Sequence, residues 1–145
     1  MRFDFAVYGP DERLTTVIEA KARGGTTDTW AAQLRKNMVA HANVPRDAMF
    51  VLATPGALYL WEPKAQLTEL PTYQIDATAL FRPYFDRAGV PSGTETVVDP
   101  MVFEMIVNSW LQDLATEPVR SDPLLHDSGF VDRVRTGRLV AQLAA

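Results

Sequence analysis

Two carboxylates and an amine in this chain have the types and the spacing to do chemistry together. Glu19 and Lys21 stand in the triplet Glu19-Ala20-Lys21, and Asp4 lies fifteen residues before Glu19. If the segments carrying them pair as neighbouring strands, all three groups meet on one patch of sheet. Like charges directly opposite on a sheet are destabilising, and at about 5 Å with an effective dielectric near 20 the repulsion is on the order of 3 kcal/mol. Lys21 and Arg2 can offset it as ordinary ion pairs, and a divalent cation offsets it more strongly. Magnesium prefers one or two carboxylates together with waters and substrate phosphate oxygens. The chemistry this patch suits is metal-assisted hydrolysis of a phosphodiester, with Lys21 orienting the water or stabilising charge on the phosphorane-like transition state. The plain reading beside it is a charged, solvated face of a hairpin.

The elements that would position these groups follow from local sequence. Phe3 to Tyr8 and Leu14 to Lys21 are aromatic and β-branched, with Gly9-Pro10-Asp11-Glu12-Arg13 as the turn between them. Gly9 facing Leu14 sets Asp4 opposite Glu19 and also faces Phe5 with Ile18, Phe3 with Ala20 and Val7 with Thr16. One side of the ribbon is then apolar, and the other carries Asp4, Glu19 and Lys21. After Arg23-Gly24-Gly25 a helix is expected over Thr29 to His41, capped by Thr27 or Asp28. Trp30, Ala31, Leu34 and Met38 form its apolar stripe, flanked by Gln33, Lys36 and Asn37 on one side and Arg35 on the other. Its first amides, with Arg23 and Lys36, could hold a phosphate; the alternative is a glycine turn followed by a solvated face.

Asp4, then a hairpin, then Glu19-Ala20-Lys21, then a helix bearing Gln33, then another apolar strand resembles the core of the PD-(D/E)XK (restriction-endonuclease-like) nuclease superfamily over roughly Met1 to Trp61. The resemblance implies that Asp4, Glu19 and the Ala20 carbonyl bind Mg2+ or Mn2+ and that Lys21 is the catalytic lysine, with Gln33 beside it. It implies nucleic acid, DNA foremost, as the partner, contacted through Arg23, Lys36 and Asn37. Phe3 stands where that motif carries a proline, and the helix that usually precedes the first core strand has no counterpart before Asp4. Members of this superfamily also include chains that keep the fold without the activity.

The remaining sequence supplies a sheet and its cover. Ala48 to Ala53 and Ala57 to Trp61 read as a second hairpin through Thr54-Pro55-Gly56-Ala57, where Pro and Gly fit a type II turn. The first of these strands is apolar on both faces and so belongs inside the sheet. Tyr59 and Trp61 share one face, as core aromatics or as a base-stacking pair. Pro63 to Pro71 is a polar connector, Asp76 caps a short helix through Leu80 and Phe81, and Pro83 kinks it or begins a further turn to Arg87. Gly89 to Thr94 is a loop. Asp99-Pro100 starts the longest helix, Met101 to about Thr116, ended by Pro118, whose wide stripe of Phe103, Ile106, Val107, Trp110, Leu111 and Leu114 should cover one face of the sheet. That helix is the candidate replacement for the one missing before Asp4. Glu104, Asn108 and Gln112 share a face of it, so Glu104 is either an additional carboxylate at the metal or part of a solvated side. A capped turn at Ser121-Asp122-Pro123, a helix through Phe130, Val134 and Arg135, and Gly137 as its stop lead to Leu139–Leu143, an edge strand or a fraying end.

Composition bounds the rest. One hundred and forty-five residues, 47% hydrophobic and 22% charged, describe one globular domain; the elements above and the resemblance imply an α/β (α+β) fold, a central mixed sheet of about four to five strands with helices packed on it. Residues 1–62 are the nuclease-like part, and 76–145 a mainly helical part packed on it. The absence of cysteine excludes disulfides and thiolate zinc sites. His41 and His126 have no partner at ligand spacing, and neither a Walker A nor a GxGxxG pattern is present. No apolar run spans a bilayer and no signal-peptide pattern opens the chain, which points to a cytoplasmic protein. The net charge of −4 argues against a broad DNA-coating surface, so any nucleic-acid contact must be local. Two function classes follow: a magnesium-dependent endonuclease, alone or as the nuclease part of a defence or repair assembly, and a noncatalytic protein-binding or regulatory module of the same fold. Cutting both strands of a duplex at once would need a second copy.

Overall fold

A computed structural model describes residues 3–42, 44–92, 97–116 and 122–142. Among them the strands are β1 (Phe5–Tyr8), β2 (Leu14–Ala20), β3 (Met49–Ala53), β4 (Ala57–Trp61), β5 (Tyr73–Asp76) and β6 (Arg138–Ala141). The helices are α1 (Asp28–His41), α2 (Thr78–Ala88), α3 (Pro100–Thr116), α4 (Pro123–Asp127) and α5 (Phe130–Thr136). The strands form one mixed sheet in the order β5-β4-β3-β2-β1-β6. β2 and β3 are parallel, joined across one face by α1, and the other neighbours are antiparallel. The Ser121, Pro118 and Leu143 expectations, the end of the Gly89–Thr94 loop and the Arg2 ion pair lie outside the described residues.

Alternation along the strands divides the core in two. Phe5, Val7, Ile18, Met49, Val51, Leu58 and Leu60 point to the face covered by α2 to α5, where the full predicted stripe of α3 is buried with Phe81, Phe85 and Phe130. Val17, Phe50, Leu52, Tyr59 and Trp61 point to the opposite face, under Ala31 and Met38 of α1. β3 is buried at every position, as expected for an inner strand. Tyr59 and Trp61 are core residues, fully buried, with the Tyr59 hydroxyl 2.8 Å from Thr26 Oγ1 and Trp61 Nε1 donating to the Glu69 carbonyl at 2.9 Å.

Several local expectations change. The ribbon's second face is roofed by α1, so Glu19 is 6% exposed and lies in the interior. Phe3 leaves the Phe5 side and packs on the α1 face, edge-on to Phe50 at 6.1 Å, because strand pairing ends at Phe5. Gly9 pairs with Arg13, not Leu14, and a bulge between Val7 and Tyr8 absorbs the offset, which leaves Phe5 opposite Ile18. Gly56 is not among the glycines with positive φ, so the β3–β4 turn is not type II. The Thr54 hydroxyl closes it instead, accepting from Ala57 N at 3.1 Å. α2 runs through Pro83 as one helix. The tail forms two short helices broken at Gly129, whose φ is 83°, and β6 is a paired edge strand.

Candidate active site

Asp4 lies one residue before β1, at the same end of the sheet where parallel β2 finishes. There the backbone leaves its ladder and the carboxylates replace it. Glu19 Oε2 accepts from the Asp4 amide at 3.2 Å, and Asp4 Oδ2 accepts from the Ala20 amide at 2.8 Å. This reciprocal exchange fixes both side chains, while the Asp4 carbonyl accepts from Gln142 N at 2.7 Å beyond β6. The Lys21 amide donates to the Ala53 carbonyl at 2.8 Å, which anchors the lysine on the parallel neighbour. Its ammonium reaches Glu19 Oε1 at 3.4 Å.

α3 brings the third carboxylate. Glu104 is half-buried and lines the same cleft as Asp4, whose charge acts on its carboxyl. The polar row then runs out to solvent through Gln112, which donates to Asn108 at 3.5 Å. Asp4 is thus shared between Glu19 and Glu104.

The electrostatics record the crowding. The Glu19 carboxyl is pushed up to about 7, first by burial, then by the Asp4 charge, with Lys21 opposing. Glu104 is raised by the same two causes in the same order. Glu19 and Glu104 therefore keep their protons to higher pH than isolated glutamates do. Among the described residues no set of three or more His, Cys, Asp or Glu side chains is arranged to hold a metal ion.

The three acids border a cleft of about 490 Å³, which is also lined by Ala20, Lys21, Arg23, Trp30, Leu34 and Pro100. Thr27 caps α1, its hydroxyl accepting from Trp30 N at 3.1 Å, and the first turns of the helix form one wall of the cleft. The helix is rotated from its expected setting: Ala31, Arg35 and Met38 are buried, whereas Trp30 and Leu34 are half-buried. Of the flanking residues, Arg23 joins the cleft, its guanidinium carbon 5.4 Å from the Trp30 ring centroid. Gln33, Lys36 and Asn37 do not; all three are exposed, and Gln33 donates to Asn37 at 3.2 Å.

Sequence reasoning passed over Trp30 and Leu34 as wall residues and Arg35 as a core residue. Arg35 donates to the Gln66 and Ala65 carbonyls at 2.7 and 3.1 Å and lies 5.3 Å from the Trp61 ring. It ties the 63–71 connector to α1. The only sequence signal was its place beside the apolar stripe, since an arginine can bury its stem there. Comparison of the chain with protein families, curated proteins and solved structures finds no match.

Proposed function

We propose that the chain is a metal-dependent nuclease of the PD-(D/E)XK type, hydrolysing phosphodiesters of nucleic acid. The observation that carries this reading is the convergence of Asp4, Glu19 and Glu104 around Lys21 at the end of β2, two of them with raised carboxyl pKa values. Acidic groups forced together in a cleft cost stability, and that cost is common where a site is built for function.

The donor set fits a hard dication. Asp4, Glu19 and the Ala20 carbonyl would hold Mg2+ or Mn2+, which need only one or two carboxylates beside water and phosphate oxygens. When bound, the ion supplies Lewis-acid polarisation of the phosphodiester. The chain's own residues do the remainder. Lys21, 42% exposed and anchored through its backbone to β3, presents its ammonium to the cleft, where it orients water or stabilises charge gathering on phosphate. Glu104, on the wall of the cleft, is the acid that would take or return a proton there, as its raised pKa suits. Burial of Glu19 reduces screening on its side of the Lys21–Glu19 pair, while the lysine side stays open to water.

A second reading has its own support. Lys21 already pairs with Glu19, and the carboxyls satisfy one another and the Asp4 and Ala20 amides. Such a self-contained network suits a noncatalytic protein-binding module of the same fold.

A nicking assay on circular single-stranded DNA and on a plasmid, each with Mg2+ or Mn2+, separates the two. Metal-dependent nicking is expected in the parent, with Glu19→Ala and Lys21→Ala each lowering it by at least about 100-fold, the scale of losing one charge-stabilising group. No nicking of either DNA by the parent, or nicking by both variants equal to the parent's, leaves the module reading.

A further inference from the structure

Of the three tryptophans, Trp61 is fully buried and Trp110 is 3% exposed, so Trp30 alone meets solvent. It does so on the wall of the carboxylate cleft, with its inner side packed on the α1-face core and Arg23 over its ring. Together they offer a planar aromatic surface and a cation, the two halves of nucleotide recognition, beside the acids that would act on a phosphate. The cleft volume of about 490 Å³ falls in the range of small-ligand pockets, roughly 300 to 1,000 Å³.

Resting on the phosphodiester reading above, we infer that Trp30 and Arg23 form a base-stacking platform and that the polymer admitted to the cleft is single-stranded nucleic acid. In a duplex the bases are held in their stack and reach a side pocket only by flipping out. Duplex affinity also depends on neutralising many phosphates. Here the cleft is lined by two basic residues, Lys21 and Arg23, against three acids, Lys21 is already paired with Glu19, and the chain carries a net charge of −4. A single strand needs less. It lays one unstacked base on the indole, displacing the exposed Arg23 side chain from over the ring so that its guanidinium takes one phosphate, and each base stacked on an aromatic ring contributes enough to matter alone.

The test uses the full chain with a short oligothymidylate and a blunt duplex of matched length. Because Trp30 is the exposed indole, its stacking is expected to quench the protein's fluorescence with the single strand and not with the duplex. Anisotropy of the labelled oligothymidylate should show an affinity loss on the order of 10-fold in Trp30→Leu, largely recovered in Trp30→Phe. Buried Trp61 and Trp110 report that both variants are folded. No quenching at saturating oligothymidylate, duplex binding as tight as single-strand binding, or unchanged affinity in Trp30→Leu overturns the platform. Quenching without metal-dependent cleavage supports the platform and removes only the nuclease reading. Cleavage of duplex without quenching does the reverse.

Discussion

At the scale of single residues, the acid cluster sets a pH dependence whose sign is fixed. Glu19 holds its proton to about pH 7 in the fold but to an ordinary 4.5 when unfolded, so between those values the folded chain binds more protons. Stability from this group is therefore full below about 4.5, falls as pH rises through that window, and is gone above 7. The difference corresponds to on the order of 3 kcal/mol, and the raised Glu104 carboxyl acts in the same direction. Glu19→Gln should remove this slope, so that the variant equals the parent near pH 5 and exceeds it by several degrees in Tm near pH 8. Thermal melts across pH check it, and parallel curves for parent and variant would show that Glu19 is not the titrating group. Mg2+ should raise the parent's Tm at pH 8 far more than at pH 5, where protons occupy the same oxygens, and should do little for Glu19→Gln.

At the scale of elements, the corner between α5 and β6 leaves no room for a side chain at Gly137. A Cβ on Gly137 would meet Val7 Cγ1 at 2.6 Å and the Arg133 and Tyr8 carbonyl oxygens at 2.8 Å. Two of these are backbone atoms and cannot swing aside. Gly137→Ala should cost about 1 to 3 kcal/mol, as overpacking does, and should loosen β6 from β1. Because the Gln142 amide holds the Asp4 carbonyl, the same variant should weaken the Mg2+ stabilisation; faster amide exchange across β6 tests the cause. Sequence pattern made some of these elements readable. The stripe of α3 and the apolar β3 are strong periodic signals, and alternation alone required Phe5 opposite Ile18, hence Asp4 beside Glu19. β5 was not seen, since Tyr73–Asp76 is a short edge strand with half its pattern polar, and Asp76 read only as a cap; its Oδ1 does accept from Thr78 N at 3.0 Å. Glu104 was undecidable from its helix because its meeting with Asp4 is made by packing across a hundred residues of chain. The rotation of α1 that buries Arg35 and frees Trp30 depends on the 63–71 connector, which no local pattern near residue 35 reveals.

At the scale of the whole molecule, the sheet joins two cores that cannot form separately. β3 and β4 give alternate side chains to each face, so Val51, Leu58 and Leu60 in one cluster are chain neighbours of Phe50, Leu52, Tyr59 and Trp61 in the other. Stripping α3 would open much of the face it covers with α2, α4 and α5, and removing α1 would undo the parallel link between β2 and β3. The predicted division into a nuclease-like first part and a helical second part is therefore a division of sequence, and both contribute to the same core and the same cleft. Unfolding should be a single cooperative transition, and the buried tryptophans provide a probe on each face: Trp61 under α1 and Trp110 on the inner side of α3. In urea, the variant keeping only Trp61 (Trp30→Phe, Trp110→Phe) and the variant keeping only Trp110 (Trp30→Phe, Trp61→Phe) should each give a fluorescence midpoint that coincides with their own far-UV circular dichroism midpoint. A fluorescence transition that precedes the circular dichroism change in either variant would mean that its face opens alone. In that case Glu104 could withdraw with α3 while Asp4 and Glu19 stay on the sheet, and the acid cluster would come apart before the fold does.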